Sequence, residues 1–197
     1  MMRRLGDILL SLVLIAVSLP FQIIFIILLL ILSPGNPFFV QERIGRGGQA
    51  FKLIKLRTMK PTKSVQSGIT VRGNDRVTGI GKFLRFFKLD ELPQLFNILA
   101  GSMTFVGPRP EIAKYVELYS EEQRGILDYK PGLTDPASLK YRNEEEILAQ
   151  FDDPVQGYID NILPDKINIS LEYQRKRGFC SDLLIILKTI AAVFQKR

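Results

Sequence analysis

A chain of 197 residues with 46% hydrophobic content holds enough apolar side chains for one core, so a single domain with appendages is the expected organisation. Its 27 Lys and Arg against 20 Asp and Glu leave a net charge of +7, which suits nucleic acid, phosphate-rich small molecules or an anionic membrane surface. With no His and one cysteine, Cys180, it excludes a Ser-His-Asp triad, a Cys-His pair, a His-containing zinc site, a Cys-cluster metal site and an intramolecular disulfide.

The first element is a membrane one. From Ile8 to Leu32 there are 25 residues without a formal charge, and a helix rising ~1.5 Å per residue crosses a ~30 Å hydrocarbon layer in that length. A cleavable signal peptide has a shorter apolar region ending in small residues, whereas SPGNPFFVQ follows here, so a retained anchor is the reading. Pro20 lies near the midpoint with Ser18 and Gln22 beside it, and its missing N–H predicts a sharp kink. Arg3 and Arg4 precede the segment, and Arg43, Arg46, Lys52, Lys55, Arg57 and Lys60 follow it. Both flanks therefore look cytoplasmic, and a helix broken at Pro20 would enter and leave by one face. A kinked helix that spans, with its N-terminus outside, is the alternative.

FFVQER and FKLIKLRT are β-rich runs joined across the glycine-bearing IGRGGQ, which predicts a short hairpin over 38–57. Residues 60–78 read as a polar loop. Ile80, Phe83, Leu84 and Phe87 recur at helical spacing, with Lys82 and Arg85 on the other face. Leu92, Leu95, Phe96 and Leu99 repeat that spacing in KLDELPQLFNIL, so a second helix starts close to Asp90, with Pro93 in its first turn. GSMTFVGPRPE reads as a loop stiffened around Arg109 by Pro108 and Pro110, residues 111–127 as a helix, and KPGLTDPAS at 130–138 as a turn region presenting Lys130. In the last segment Phe179, Leu183, Ile186, Leu187, Ile190 and Phe194 share one helical side. That helix can pack on the core or lie in the membrane interface, toward which Lys188, Lys196 and Arg197 lean, and Cys180 within it reads as a small buried or interfacial filler.

Asp90 and Glu91 have two readings. Acids in a first helical turn are ordinary caps, favoured by the macrodipole. An ionised carboxylate is also a nucleophile that needs no base at neutral pH, which suits a chain without His, and attack on phosphorus would give an acyl phosphate. Bringing an anion to a phosphate calls for a divalent cation together with Arg or Lys.

RRLGDILLSLVLIAVSLP, FKLIKLRTM, KLDELPQLFNIL, GSMTFVGPRPE, YKPGLTDPAS and DLLIILKT, in that order, make the chain resemble the bacterial sugar transferases, specifically the small monotopic phosphoglycosyl transferases. The resemblance implies a mainly helical α+β fold with a reentrant membrane helix broken near Ser18 and Pro20. The expected organisation is a membrane element at 1–35, a catalytic domain at 36–178 and a C-terminal amphipathic helix at 179–197. It implies transfer of a phosphosugar from a UDP-sugar to polyprenyl (undecaprenyl) phosphate with release of UMP, through a covalent intermediate on Asp90. Glu91 assists, with Mg²⁺ held around Asp90 and Glu91, and Arg109, Arg142, Arg85 and Lys55 are the phosphate-binding residues. The implied setting is the cytoplasmic face of the bacterial inner membrane, with membrane lipids and a homodimer among the expected partners and no nucleic acid.

Two departures stand out. Leu19-Pro20 replaces the family's Ser-Pro, and PGLTDPASLKYR replaces its PGITG segment, so sugar specificity does not carry over. Two rival functions are a membrane phosphohydrolase and a non-enzymatic, membrane-anchored basic binding module.

Overall fold

The computed structural model describes residues 2–60, 69 and 75–194, so most of the loop read at 60–78 lies outside the described residues. The chain opens with helix α1 (Met2–Leu32), followed by strands β1 (Phe38–Ile44) and β2 (Ala50–Leu56). These pair antiparallel from Phe38 opposite Leu56 to Ile44 opposite Ala50, the hairpin that the sequence predicts. Helix α2 (Gly79–Phe86) leads through a 3₁₀ turn at Leu89–Glu91 into α3 (Gln94–Ala100).

Next comes β3 (Thr104–Val106), then two short helices, α4 (Ala113–Val116) and α5 (Glu121–Arg124), and β4 (Gly132–Thr134). Helices α6 (Pro136–Lys140), α7 (Glu144–Leu148), α8 (Pro154–Gly157), α9 (Leu163–Lys176) and α10 (Phe179–Phe194) complete a mainly helical α+β chain. Several local expectations need correction. The helix read over 111–127 is broken, because the capping box of Ser120 and Gln123 starts a new helix at Glu121. The loop at 101–111 and the turn region at 130–138 each contain a strand, and the two pair in parallel, Thr104 opposite Gly132 and Val106 opposite Thr134.

Helix α1 runs on through Pro20 without leaving helical structure. The Ser18 Oγ accepts a hydrogen bond from Gln22 Nε2 at 3.0 Å, pairing two polar side chains across the position where the backbone donor is missing. Only 11% of its most apolar window is buried, and the contacts it does make fall on one stripe. Ser11, Gln22 and Leu29 are buried, Ile15 packs on the cluster of Leu53, Leu95, Ile98 and Phe105, and Leu29 joins Leu56 and Leu84 in another cluster.

Both ends of α1 are tied to the same domain. At the start, Arg4 donates to the carbonyls of Ile98 and Leu99 at 2.5 and 2.7 Å, closing the C-terminal end of α3. Asp7 accepts from the Thr104 hydroxyl at 2.8 Å and from the Phe105 N–H at 3.4 Å. At the far end, Arg57 from the foot of β2 donates to the Ser33 carbonyl, and to Ser33 Oγ and the Pro34 carbonyl at 3.3 Å each.

The third cluster of core residues, including Tyr115, Leu148, Tyr158, Ile162 and Ile167, sits under α4 and α7–α9. Helix α10 turns Ile185 and Ile186 inward, whereas Phe179, Leu183, Leu187, Ile190 and Phe194 stay exposed, as does Cys180. The exposed side of this helix is apolar, and Phe83 and Phe86 of α2 are exposed as well.

The segments that flank Arg109 and β4 meet at glycine. A Cβ built on Gly132 would lie 2.1 Å from the Gly107 nitrogen and 2.4 Å from its oxygen, so only hydrogen fits there. Gly132→Ala is expected to cost about 1–3 kcal/mol, read as a lowered thermal unfolding midpoint in detergent. An unchanged midpoint would mean that the two segments do not approach so closely.

Candidate active site

The 3₁₀ turn at Leu89–Glu91 is entered by Lys88 in the left-handed conformation, φ 57°. It is the one non-glycine residue with positive φ among the described residues, and such a conformation persists only where surrounding structure enforces it. Neither the turn nor α3 has a side-chain cap, so capping does not account for the two acids. Asp90 is 8% exposed, and its Oδ1 is buried without a hydrogen-bond partner.

Glu91 is the opposite case. Lys55 Nζ from β2 stands 3.0 Å from its Oε1, and Arg109 Nη2, from the Pro-flanked loop after β3, stands 2.5 Å from the same oxygen. Arg109 Nη1 reaches Glu91 Oε2 at 3.4 Å and the Leu133 carbonyl at 3.5 Å. The loop itself is fixed by Gly107 N–H to the Thr134 carbonyl, 3.0 Å, and Gly132 N–H to the Pro108 carbonyl, 2.9 Å. One acid is thus saturated by cations and its neighbour is not.

The electrostatics follow. Burial, and then the negative charge of Glu91, push the Asp90 carboxyl above the usual aspartate range, with Lys55, Lys88 and Arg85 pulling it back. Burial acts the same way on Glu91, but Arg109, Lys55 and Lys88 outweigh it and hold that carboxyl well below the usual glutamate range. Burial pulls the Lys55 ammonium down, partly offset by Glu91. The Glu91 carboxylate pushes Arg109 up, so it stays charged.

Of the residues singled out from sequence, Asp90, Glu91, Lys55 and Arg109 come together. Arg85 is ion-paired with Glu145 of α7, although its charge still reaches Asp90. Arg142 lies in the turn that joins α6 to α7.

Sequence reasoning missed three residues. Lys88 acts on both acids, but nothing in a lone lysine betrays a left-handed backbone. Gln94, one helical turn after Asp90, is 1% exposed with its Nε2 unpartnered, and a glutamine four residues from an acid was the available signal. Ser138 of α6 has a buried Oγ without a partner, in the very stretch where the sequence departs from PGITG. A cavity of about 260 Å³ is lined by Ser18 of α1, Lys88, Glu91, Arg109, Ser138 and Val193 of α10, among others.

The Asp90 carboxyl thus has an oxygen without a hydrogen-bond partner beside a cluster of fixed positive charge. The family model described as bacterial sugar transferase matches residues 1–196. The chain belongs to the bacterial sugar transferases. It is a phosphoglycosyl transferase.

Among relatives of this transferase is the UDP-glucose:undecaprenyl-phosphate glucose-1-phosphate transferase of Caulobacter vibrioides, 31% identical over 97% of this chain and 69% of that protein. The exopolysaccharide production protein ExoY of Rhizobium meliloti is 30% identical over 100% of this chain and 87% of its own length. The UDP-N-acetylgalactosamine-undecaprenyl-phosphate N-acetylgalactosaminephosphotransferase of Aeromonas hydrophila is 30% identical over 97% of this transferase, which spans 43% of that longer protein.

If the transferase needs Asp90 ionised, its acid limb should lie above the pH at which an ordinary aspartate titrates. Lys88→Met removes a charge that favours the ionised form, so the limb should move upward by about half a pH unit. The rate of the first turnover measured from pH 4 to 8 tests this, and a limb that stays in place or moves downward would separate Lys88 from Asp90.

Proposed function

We propose that this transferase moves a phosphosugar from a UDP-sugar to a polyprenyl phosphate, as the initiating membrane step of glycan assembly. The observation that carries the reading is the asymmetry of the acid pair: Glu91 is held by Lys55 and Arg109, while the neighbouring Asp90 oxygen is buried and unpartnered. The Asp90 carboxylate attacks the phosphorus that bears the sugar, the bond from that phosphorus to the bridging oxygen breaks, and UMP leaves with the electron pair. An oxygen of the lipid phosphate then attacks the same phosphorus. The Asp90–phosphorus bond breaks, the carboxylate is restored, and the sugar remains on a lipid-linked diphosphate.

Lys55, Lys88 and Arg109 supply positive charge where the transferred phosphate gains negative charge, and Arg109 presents a planar donor fork that matches phosphate oxygens. Arg85 and Arg142 are placed by the same reading as outer phosphate contacts.

A divalent ion fits this donor set. Among the described residues no group of three or more metal-ligating side chains forms, which is unlike an all-protein cage. The free Asp90 oxygen suits Mg²⁺, which is commonly held by one or two carboxylates with substrate phosphates. Asp90, with Glu91 beside it, would hold it, and it would neutralise phosphate charge.

The reading extends to topology. Bonds from Arg4 and Asp7 at one end of α1 and from Ser33 at the other to one domain support a reentrant helix at the cytoplasmic face of the inner membrane. The exposed faces of α2 and α10 lie in its interface. In a Cys180→Ser background, single cysteines placed at residues 2 and 46 should react with an impermeant maleimide from the same side of oriented vesicles. Labelling from opposite sides would make α1 a spanning helix.

Asp90→Asn should abolish both UMP release and a trapped enzyme–phosphosugar adduct. Wild type given UDP-sugar and Mg²⁺ without polyprenyl phosphate should stop after about one equivalent of UMP. Full activity of the variant removes Asp90 as nucleophile, and continuous turnover without lipid would make the protein a hydrolase.

A further inference from the structure

Three buried or half-buried titratable groups take no direct part in the transfer: Arg43 of β1, Glu111 just after the Pro108–Pro110 loop, and Tyr158 in the π-helical turn Tyr158–Ile162. They form one network. Glu111 uses both carboxylate oxygens: Oε1 accepts from Arg43 Nη1 at 2.9 Å and from the Ile112 N–H at 3.0 Å, and Oε2 accepts from the Tyr158 hydroxyl at 2.5 Å. The Glu111 carbonyl accepts from the Ile44 N–H at 2.8 Å, so the loop is bonded to β1 through backbone as well as side chain.

Both side-chain partners of Glu111 are themselves fixed. Arg43 donates from Nε and Nη2 to Gln41 Oε1 at 3.0 and 2.7 Å, and its Nη1 also reaches the Pro110 carbonyl at 3.2 Å. Tyr158 is 3% exposed and belongs to the core cluster that includes Tyr115, Ile162 and Ile167. Burial, and then the Glu111 carboxylate, push its hydroxyl well above the usual tyrosine range, so it keeps the proton that it donates.

Strand register links this network to the acid pair. Arg43 opposes Phe51 and Phe39 opposes Lys55, and alternate residues of a strand share a face, so Arg43 and Lys55 project from one face of the hairpin. That face makes two ion pairs, Arg43 with Glu111 and Lys55 with Glu91. Arg109, two residues before Glu111, reaches from the first attachment to the second and meets the same Glu91 oxygen that Lys55 holds.

We propose that Glu111 is a positioning residue of this transferase: clamped by Arg43 and Tyr158, it holds the Pro108–Pro110 loop against the hairpin so that Arg109 and Lys55 are already set on Glu91 when substrate arrives. This rests on the transfer reaction proposed above, in which Arg109 supplies charge to the transferred phosphate. Glu111 acts through Arg109 and needs no contact with substrate.

The full chain in nanodiscs with Mg²⁺ and saturating UDP-sugar tests this through the rate of the first UMP burst. Glu111→Gln keeps the side chain's shape but loses the charge that holds Arg43, and should slow the burst about tenfold with the KM for UDP-sugar within about threefold of wild type. Arg43→Lys should slow it less than Arg43→Gln, because an ammonium keeps the charge without the fork. In an Arg109→Ala background, Glu111→Gln should slow the burst by less than about twofold further, since nothing is left to position. Phenylglyoxal, which modifies guanidinium groups, should react with Arg109 about threefold faster in Glu111→Gln than in the wild type, as the loop opens more often. Tyr158→Phe should change both readouts in the same direction by a smaller factor, which keeps the test independent of whether Glu111→Gln folds.

A wild-type burst rate in folded Glu111→Gln and Tyr158→Phe, an equal loss with and without Arg109, or unaltered phenylglyoxal reactivity of Arg109 in both variants would overturn the assignment. Absence of any UMP burst in the wild type would instead defeat the underlying reaction, and the phenylglyoxal comparison, which needs no turnover, would still decide whether Glu111 holds Arg109.

Discussion

The site depends on the ion pairs that Glu91 makes with Lys55 and Arg109. They join three segments distant in sequence: the second strand of the hairpin, the turn before α3, and the proline-flanked loop after β3. Taking such charges out of water is costly and is offset only when they remain paired, so loss of one partner leaves an uncompensated buried charge. The same arrangement sets Asp90 apart. With three residues per turn, consecutive residues of a 3₁₀ turn diverge by about 120°, so Glu91 can face the cations while its neighbour points elsewhere with an oxygen unpartnered. Proximity in sequence and divergence in space give the two carboxylates different surroundings.

The membrane helix is a structural part of this centre. Leu29 is fully buried with Leu56 and Leu84, and Ile15 packs on the cluster that includes Leu95 of α3, the helix that continues the turn bearing Asp90. The turn bearing Asp90 is therefore positioned against α1 from one side and against the hairpin from the other. The C-terminal helix packs on the same cluster through Ile185 and Ile186 and bonds to β4 through Thr189 and Thr134.

Much of this was legible in the sequence, where a period or a run of one residue type carried the signal. The uncharged run from Ile8, the β-rich runs around IGRGGQ and the helical spacing after Ile80 give α1, the hairpin and α2. The acid pair and Arg109 were found by combining residue chemistry with family motifs, which list residues that recur. What was not legible depends on distant partners. Three-residue strands carry no period, and β3 and β4 exist because each is buried against the other. Pro20 predicts a kink, and it lies within a helix that continues from Met2 to Leu32. Lys88 entered view only through a backbone angle, and Ser138 only through the cavity it lines.

The clasp that Arg4 and Arg57 make on the two ends of α1 bears on how the protein can be taken apart. A fragment starting after residue 35 would leave the last carbonyls of α3 without their guanidinium donor. It would also expose Leu56 and Leu84, and strip Thr104 of its carboxylate partner. Removing α1 would therefore open the packing beneath the turn that carries Asp90 and Glu91 rather than merely detach a helix from it.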